Sequence, residues 1–215
     1  MRPPFIIIGM HRSGTSILAK VLEKSGIFMG VVKDHNYEAM HFLSINQQVL
    51  WKGGFDWHKP GIPLDKNWHA IPAAELYREH FRLNGKIAQL KQAFRNEAWG
   101  WKDPRNTFTL DMWLRKFPNA KVIHLIRNQS DVVASLQKRN KLAGEVQAPE
   151  LSDREYCAKL WLDYVNQGQS FADKLGPRYI ELHYEKLRDF EPESIEALEQ
   201  FCQRPILKQL KKYLY

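Results

Sequence analysis

The stretch IIIGMHRSGTSI, residues 6–17, decides the fold. Phe5 to Gly9 is a short, isoleucine-rich apolar run of the kind buried on both faces of a parallel sheet. A turn with Gly9, His11, Arg12 and Gly14 follows. Ile17, Leu18, Val21 and Leu22 then recur at helical spacing as far as Gly26, a helix stop. Strand, glycine turn and helix in this order make an anion cradle, because the first amides of a helix are unpaired and its dipole favours negative charge. The comparison pattern is G-x-x-x-x-G-K-[ST]. Gly9 and Gly14 have that spacing, but position 15 is Thr and the positive charge has moved to Arg12. The amides of Ser13, Gly14, Thr15 and Ser16 are still available to an anion, yet no lysine reaches forward to a β,γ-phosphate. Neither this strand nor KVIHLIR (121–127) ends in an acidic residue able to hold Mg²⁺. A magnesium polyphosphate is therefore not the ligand this loop implies.

Outward from the loop, strands and helices alternate. Residues 37–52 carry Phe42, Ile45 and Val49 on one helical stripe after a cap at Asn36, and one turn back that stripe includes Glu38. The Gly-, Pro-, Trp- and His-rich text from 53 to 72 reads as a loop over the site. Leu76, Leu83, Ile87, Leu90 and Phe94 predict a helix to about residue 95, and Trp99–Lys102 a short strand ending before Pro104. KVIHLIR is the next strand, with a helix from near Ser130 behind it and Asp131 in its first turn, where the dipole suits a negative charge. Residues 140–152 read as a second loop. Tyr156, Leu160, Tyr164, Gly168 and Phe171 predict one helix to about Leu175, and RYIELHY (178–184) a further strand. The expected fold is α/β, a three-layer arrangement around a mostly parallel sheet, in a single domain over residues 1–215.

Composition narrows the partners. Thirty-two Lys and Arg against 24 Asp and Glu give a net charge of +8, which favours anionic ligands. The basic and aromatic interleaving of a nucleic-acid surface is absent, so nucleic acid is not an expected partner. Two cysteines, Cys157 and Cys202, have no metal-ligand spacing and read as free thiols of a reducing compartment. No run of eighteen apolar residues occurs, so a soluble, cytoplasmic protein is expected.

GMHRSGTS (9–16) resembles the 5′-phosphosulfate loop of the sulfotransferases that use 3′-phosphoadenosine 5′-phosphosulfate (PAPS), where a basic residue precedes Ser-Gly-Thr. IRNQSDVVASLQKR (126–139) is similar to their 3′-phosphate element, with Arg127 ending a strand and Ser135 eight residues on. WGWKDPR (99–105) and FPNAKVIHLIR (117–127) are similar to text in the bacterial and carbohydrate branch of that family, and residues 36–50 match more loosely. The C-terminal ILKQLKKYLY departs from the cytosolic branch, which has a glycine-rich basic loop there, and Gln129 and Ser130 stand where the family often has Pro and a variable residue. The resemblance implies a P-loop NTPase-like sulfotransferase architecture. It also implies PAPS as donor, adenosine 3′,5′-bisphosphate (PAP) as product and no metal.

On that reading the cofactor-binding residues are Arg12, Ser13, Gly14, Thr15, Ser16, Arg127 and Ser135, and the catalytic residues are Arg12, Glu38 and Lys102. Arg12 bridges the 5′-phosphate and the departing oxygen. Lys102, at a strand end where α/β folds present ligand groups, holds the sulfuryl oxygens or the acceptor. Glu38, a carboxylate on an otherwise core-facing stripe, takes the acceptor proton, with His11, Asp34 and His35 as competing bases. Asp103 orients Lys102 or Arg105, Lys138 and Arg139 extend the positive field, His124 is a core histidine, and Trp99 and Trp101 belong to the core or stack on adenine. The acceptor is a glycan, lipid, peptide or small metabolite. Two alternatives stay open: a small-molecule kinase using Mg-ATP, and a non-catalytic polyanion binder.

Overall fold

A computed structural model describes residues 2–63, 73–81, 98–142 and 148–214. Four strands, β1 (Phe5–Ile8), β2 (Gly100–Lys102), β3 (Lys121–Ile126) and β4 (Tyr179–His183), form one sheet in the order β2-β1-β3-β4. Every pairing is parallel, with Phe5 opposite both Gly100 and Lys121 and Val122 opposite Tyr179. Because side chains alternate across a strand, β1 serves two cores at once. Phe5 and Ile7 face α1 (Thr15–Lys24) and the C-terminal helices Pro192–Cys202 and Leu207–Leu214. Ile6 and Ile8 face α2 (Met40–Lys52) and the helix Asn106–Lys116, with Phe42, Leu110 and Trp113 among their neighbours. Ile6, Ile7 and Ile8 are wholly inaccessible, and each contributes roughly 1.5–3 kcal/mol by leaving water. Helices on both faces of a parallel sheet make the expected three-layer α/β fold.

In chain order the remaining helices are α3 (Ala73–Phe81), α4 (Asn106–Lys116), α5 (Gln129–Leu142), α6 (Arg154–Gln169), α7 (Ala172–Leu175), α8 (Tyr184–Arg188), α9 (Pro192–Cys202) and α10 (Leu207–Leu214). None of the described helices is long and apolar enough to cross a membrane. Since β1 is flanked by β2 and β3, the loops leaving these three strands converge at one end of the sheet. Open α/β sheets bind ligands at such a switch of strand order.

Four expectations need correction. Helix α2 begins at Met40, not 37: Lys33 bridges Ala39 and Tyr37 takes φ 65°, so residues 33–39 form a turn. Asn36 is not the cap; instead the Asp34 carboxylate accepts from the amides of Asn36 and Glu38 and shapes that turn. The long helix to Leu175 is two, α6 and α7, broken at Ser170. Trp99 and Trp101 are core residues, at 1% and 0% exposure, with Trp101 stacked 3.9 Å from Phe42, so neither reaches an adenine. His124 is buried in the core with its Nδ1 2.7 Å from the Tyr179 hydroxyl, though its Nε2 has no partner among the described residues. Most of the helix expected over 76–95 and parts of both expected loops lie outside the described residues.

Candidate functional site

The turn between β1 and α1 packs tightly against β3 and the residue that follows β4. At Gly9, with φ 132°, a Cβ would lie 2.3 Å from the Leu125 carbonyl oxygen, and its amide donates to Thr107 Oγ1 at 3.1 Å. Gly14 caps α1 in the left-handed region at φ 86°, where a Cβ would lie 2.3 Å from the Tyr184 ring. Arg12 is also left-handed, at φ 71°, a conformation that costs a non-glycine residue about 1–3 kcal/mol and clusters at ligand sites. No side chain caps α1 and no acidic residue sits in its first turn, so its amides stay available.

The two distant motifs meet. Arg12 Nε donates to Ser135 Oγ at 2.8 Å, and Arg127 Nη1 donates to the Arg12 carbonyl at 3.2 Å. Arg127 also pairs with Asp131 at 3.3 Å and lies 4.9 Å over the Tyr184 ring. Trp161 Nε1 donates to the Arg127 carbonyl at 2.9 Å, which holds the end of β3 in place.

A buried ionic cluster forms the floor. Lys102, 2% exposed, donates to Glu38 Oε1 at 3.0 Å, the Asn36 carbonyl at 2.9 Å and Ser16 Oγ at 3.2 Å. Arg105 Nη1 donates to Glu38 Oε2 at 3.1 Å and to Asp103 Oδ1 at 2.9 Å. The run Lys102-Asp103-Pro104-Arg105 explains this placement. β2 ends at Lys102, the Asp103 carboxylate accepts the Arg105 amide at 3.0 Å, and α4 begins one residue on. Asn46 of α2 ties the floor to the core, donating to Asp103 and Asn106 and accepting from Thr109 and Trp113. Two cations and two carboxylates neutralise one another, so each charge is paired as burial demands.

A cavity of about 190 Å³ opens over this cluster, with His11, Arg12, Ser16, Lys102, Arg127 and Arg139 on its walls. Burial pushes the Glu38 carboxyl upward and Asp103 adds to this, against the pull of Lys102 and Arg105. Burial holds His11 well below the usual histidine range, and Arg105, Lys102, Arg139 and Arg12 push the same way. His11 is therefore neutral, packed 4.6 Å from the Trp57 ring. Burial, reinforced by the four cations, also makes it a poor proton acceptor. Asp34 is committed to its turn, and His35 is exposed. Lys138 is exposed on α5, whereas Arg139 lines the cavity.

Among the described residues, His11 Nε2, Ser13 Oγ, Arg105 Nε and Arg127 Nε are buried polar atoms without hydrogen-bond partners. Such atoms are few in folded proteins; His11 and Arg127 line the cavity, and Ser13 and Arg105 are chain neighbours of residues that do, which fits a site shaped for a polar ligand. Tyr184 was not singled out by the sequence reading, although it follows β4 as directly as Lys102 ends β2. The rule that strand ends carry ligand groups would have found it. In the sequence Arg105 reads only as a partner of Asp103; its bond to Glu38 needs the folded sheet.

The fold and this cavity define an α/β protein with a cation-lined cavity at the carboxyl ends of its central strands. A model of the sulfotransferase family matches residues 3–208, and the chain belongs to that family. Its fold is similar to a sulfotransferase domain from the curacin biosynthetic pathway, with TM-score 0.60 and 17% identity over 98% of this chain and 77% of that one. A sulfotransferase domain from the Synechococcus PCC 7002 olefin synthase is similar too, with TM-score 0.59 and 18% identity over 97% and 76%. The mouse sulfotransferase SULT7A1, solved in complex with PAP, gives TM-score 0.55 and 14% identity over 100% and 65%. A curated relative, an uncharacterized protein of Aquifex aeolicus (strain VF5), is 24% identical over 210 residues; these are 94% of this chain and 26% of the relative, so the chain spans about a quarter of its length.

Proposed function

We propose that this chain is a PAPS-dependent sulfotransferase, working as a single domain and transferring a sulfuryl group in line to an acceptor hydroxyl or amine. The observation that carries this reading is the contact of Arg12 with both Ser135 and Arg127, beside one cavity lined by Arg12, Gly14, Thr15, Ser16 and Arg127. Two anion-binding elements at hydrogen-bond distance suit a ligand with a phosphate at each end. The orphaned Ser13 Oγ and Arg127 Nε, with the uncapped start of α1, fit the same group. The buried free thiols of Cys157 and Cys202 agree with a cytoplasmic setting.

When bound, PAPS supplies a sulfuryl group on a phosphate leaving group. Gly14, Thr15 and Ser16 offer main-chain amides to the 5′ end, Ser13, whose own amide donates to the Met10 carbonyl at 3.2 Å, offers its hydroxyl, and Arg127 with Ser135 binds the 3′-phosphate. Arg12 and Lys102 offset charge at the departing oxygen and on the sulfuryl oxygens. Glu38 takes the acceptor proton on a carboxylate oxygen, its basicity raised by burial and its position fixed by Lys102 and Arg105. His11 stays neutral and closes one wall against water.

The test is thermal unfolding with PAP and with ADP, both in EDTA. At a hundred times its dissociation constant a ligand adds about 2.7 kcal/mol, so the two nucleotides separate readily. PAP raises the midpoint, ADP raises it far less, and Arg127→Ala removes most of the difference. An equal response to ADP rejects the 3′-phosphate assignment.

A further inference from the structure

We propose that Arg139, braced on Trp57, holds an oxyanion of the acceptor, so that the acceptor is an alcohol or amine bearing its own carboxylate, sulfate or phosphate. This rests on the sulfuryl-transfer reading and adds the acceptor's chemical class to it.

Arg139 lies on α5 one turn beyond Ser135, on the same helix face, and lines the cavity. Its guanidinium carbon sits 5.4 Å over the Trp57 ring. The other buried or half-buried cations of the cavity have carboxylate partners: Lys102 has Glu38, Arg105 has Glu38 and Asp103, and Arg127 has Asp131. Arg139 forms no ion pair among the described residues. Burial lowers its pKa, and Arg12 and Arg105 repel it further. A half-buried guanidinium held beside like charges is a cost to the fold that an incoming anion would offset.

Position assigns that anion to the acceptor. The charges bearing most on Arg139 are Arg12, Glu38, Arg105 and Asp34, and the last three belong to the Glu38–Lys102 end of the cavity, where Arg105 bonds Glu38 and Asp34 accepts the Glu38 amide. Arg127, with Asp131 and Tyr184, marks the other end, and each donor phosphate has its own cation there or in the loop. Trp57 is itself fixed, packed on His11 and held by its carbonyl, which accepts from the Tyr164 hydroxyl at 2.9 Å. A guanidinium braced by an indole keeps its N–H groups in a set geometry suited to a two-pronged bond with an oxyanion.

The experiment uses wild type, Arg139→Gln and Arg139→Lys. PAP affinity is measured first by calorimetry. The PAP-saturated proteins are then titrated with 4-hydroxybenzoate, 4-hydroxybenzenesulfonate and neutral 4-hydroxybenzamide, with binding read by ligand-detected NMR. At least one anion should bind wild type tenfold or more tighter than the amide, and the favoured one identifies the oxyanion. Arg139→Gln should abolish that preference with PAP affinity changed less than threefold. Arg139→Lys keeps the charge without the fork; it should fold and lose most of the preference, and it decides the matter if Arg139→Gln does not fold. Equal or absent binding of anions and amide overturns the proposal, and so does a tenfold loss of PAP affinity in either variant, which would give Arg139 to the donor. An anion preference without PAP binding by wild type would sink the donor reading instead.

Discussion

Lys102→Met tests whether the floor of the cavity is one coupled ionic unit. The substitution keeps most of the stem's volume and deletes an ammonium that is 2% exposed and makes three bonds of 2.9–3.2 Å. Wild type balances Lys102 and Arg105 against Glu38 and Asp103; the variant leaves two buried carboxylates facing one guanidinium. Removing one member of a buried pair costs about 3–5 kcal/mol, and because Arg105 still holds Glu38 the lower figure, about 3 kcal/mol, applies. For a chain of 215 residues this is a midpoint drop of about 6–12 °C. Adding Glu38→Gln restores the charge balance, so the double variant should lose about 2 kcal/mol less than the sum of the singles. The deficit should also depend on pH. Glu38 is already raised above its unfolded value, and losing the ammonium raises it further, so its protonated form gains stability in the folded chain. That gain is complete at low pH and is lost as pH rises through the folded value, so the gap to wild type should be narrower at pH 5 than at pH 8. Urea unfolding followed by circular dichroism reads all of this. A loss below about 1 kcal/mol, or strictly additive singles, would refute the coupled unit.

Glu38→Gln should lower kcat by about 10²–10⁴ while PAP affinity changes less than tenfold, as single-turnover kinetics and calorimetry would reveal; an unchanged kcat removes Glu38 as the base. Gly14→Ala places a Cβ 2.3 Å from the Tyr184 ring at φ 86°, and should cost at least about 1–3 kcal/mol in thermal unfolding. Gly176→Ala, at φ 52° with nothing within 4 Å, should cost less than Gly14→Ala in the same assay. Burial lowers His124 to about 3, with His183 adding to the effect. Its folded value lies below its unfolded one, so its contribution is present above pH 6.5 and is lost as pH falls toward 3. Urea unfolding of His124→Gln across that window should show a pH slope shallower by up to about 1.4 kcal/mol per unit, and an unchanged slope would contradict the assignment.

The elements legible in the sequence are those whose side chains have one physical task. β1 reads as a strand because every residue in it is apolar, and α1 because its apolar stripe faces one core. The anion loop shows in its glycines, since Gly9 and Gly14 occupy φ values and close contacts that other residues avoid. Helix α4 gives no such signal. Asn106, Thr107 and Thr109 are polar yet buried, because they hold Asn46, Trp101 and Gly9, so its periodicity is blurred by partners distant in the chain. Glu38 was expected to be buried and is, at 2% exposure, but it gets there through the Asp34 turn and not along a helix stripe. The break between α6 and α7 was likewise hidden. Leu160, Tyr164 and Phe171 keep nearly helical spacing across Ser170, and where Gly168 meets the His124 ring depends on strand order. The bonds of Arg105 to Glu38 and of Arg12 to Ser135 join residues 67 and 123 positions apart, and only the folded sheet brings them together.

The segment carrying Trp57 is fastened to α6 by two phenols, Tyr164 on the Trp57 carbonyl and Tyr156 on the His58 carbonyl at 2.6 Å. Both clasps grip main chain, so exchanging the indole at 57 for another side chain leaves the tether whole. On the proposed role of Arg139, position 57 could be randomised in a library to alter acceptor choice while both main-chain clasps remain.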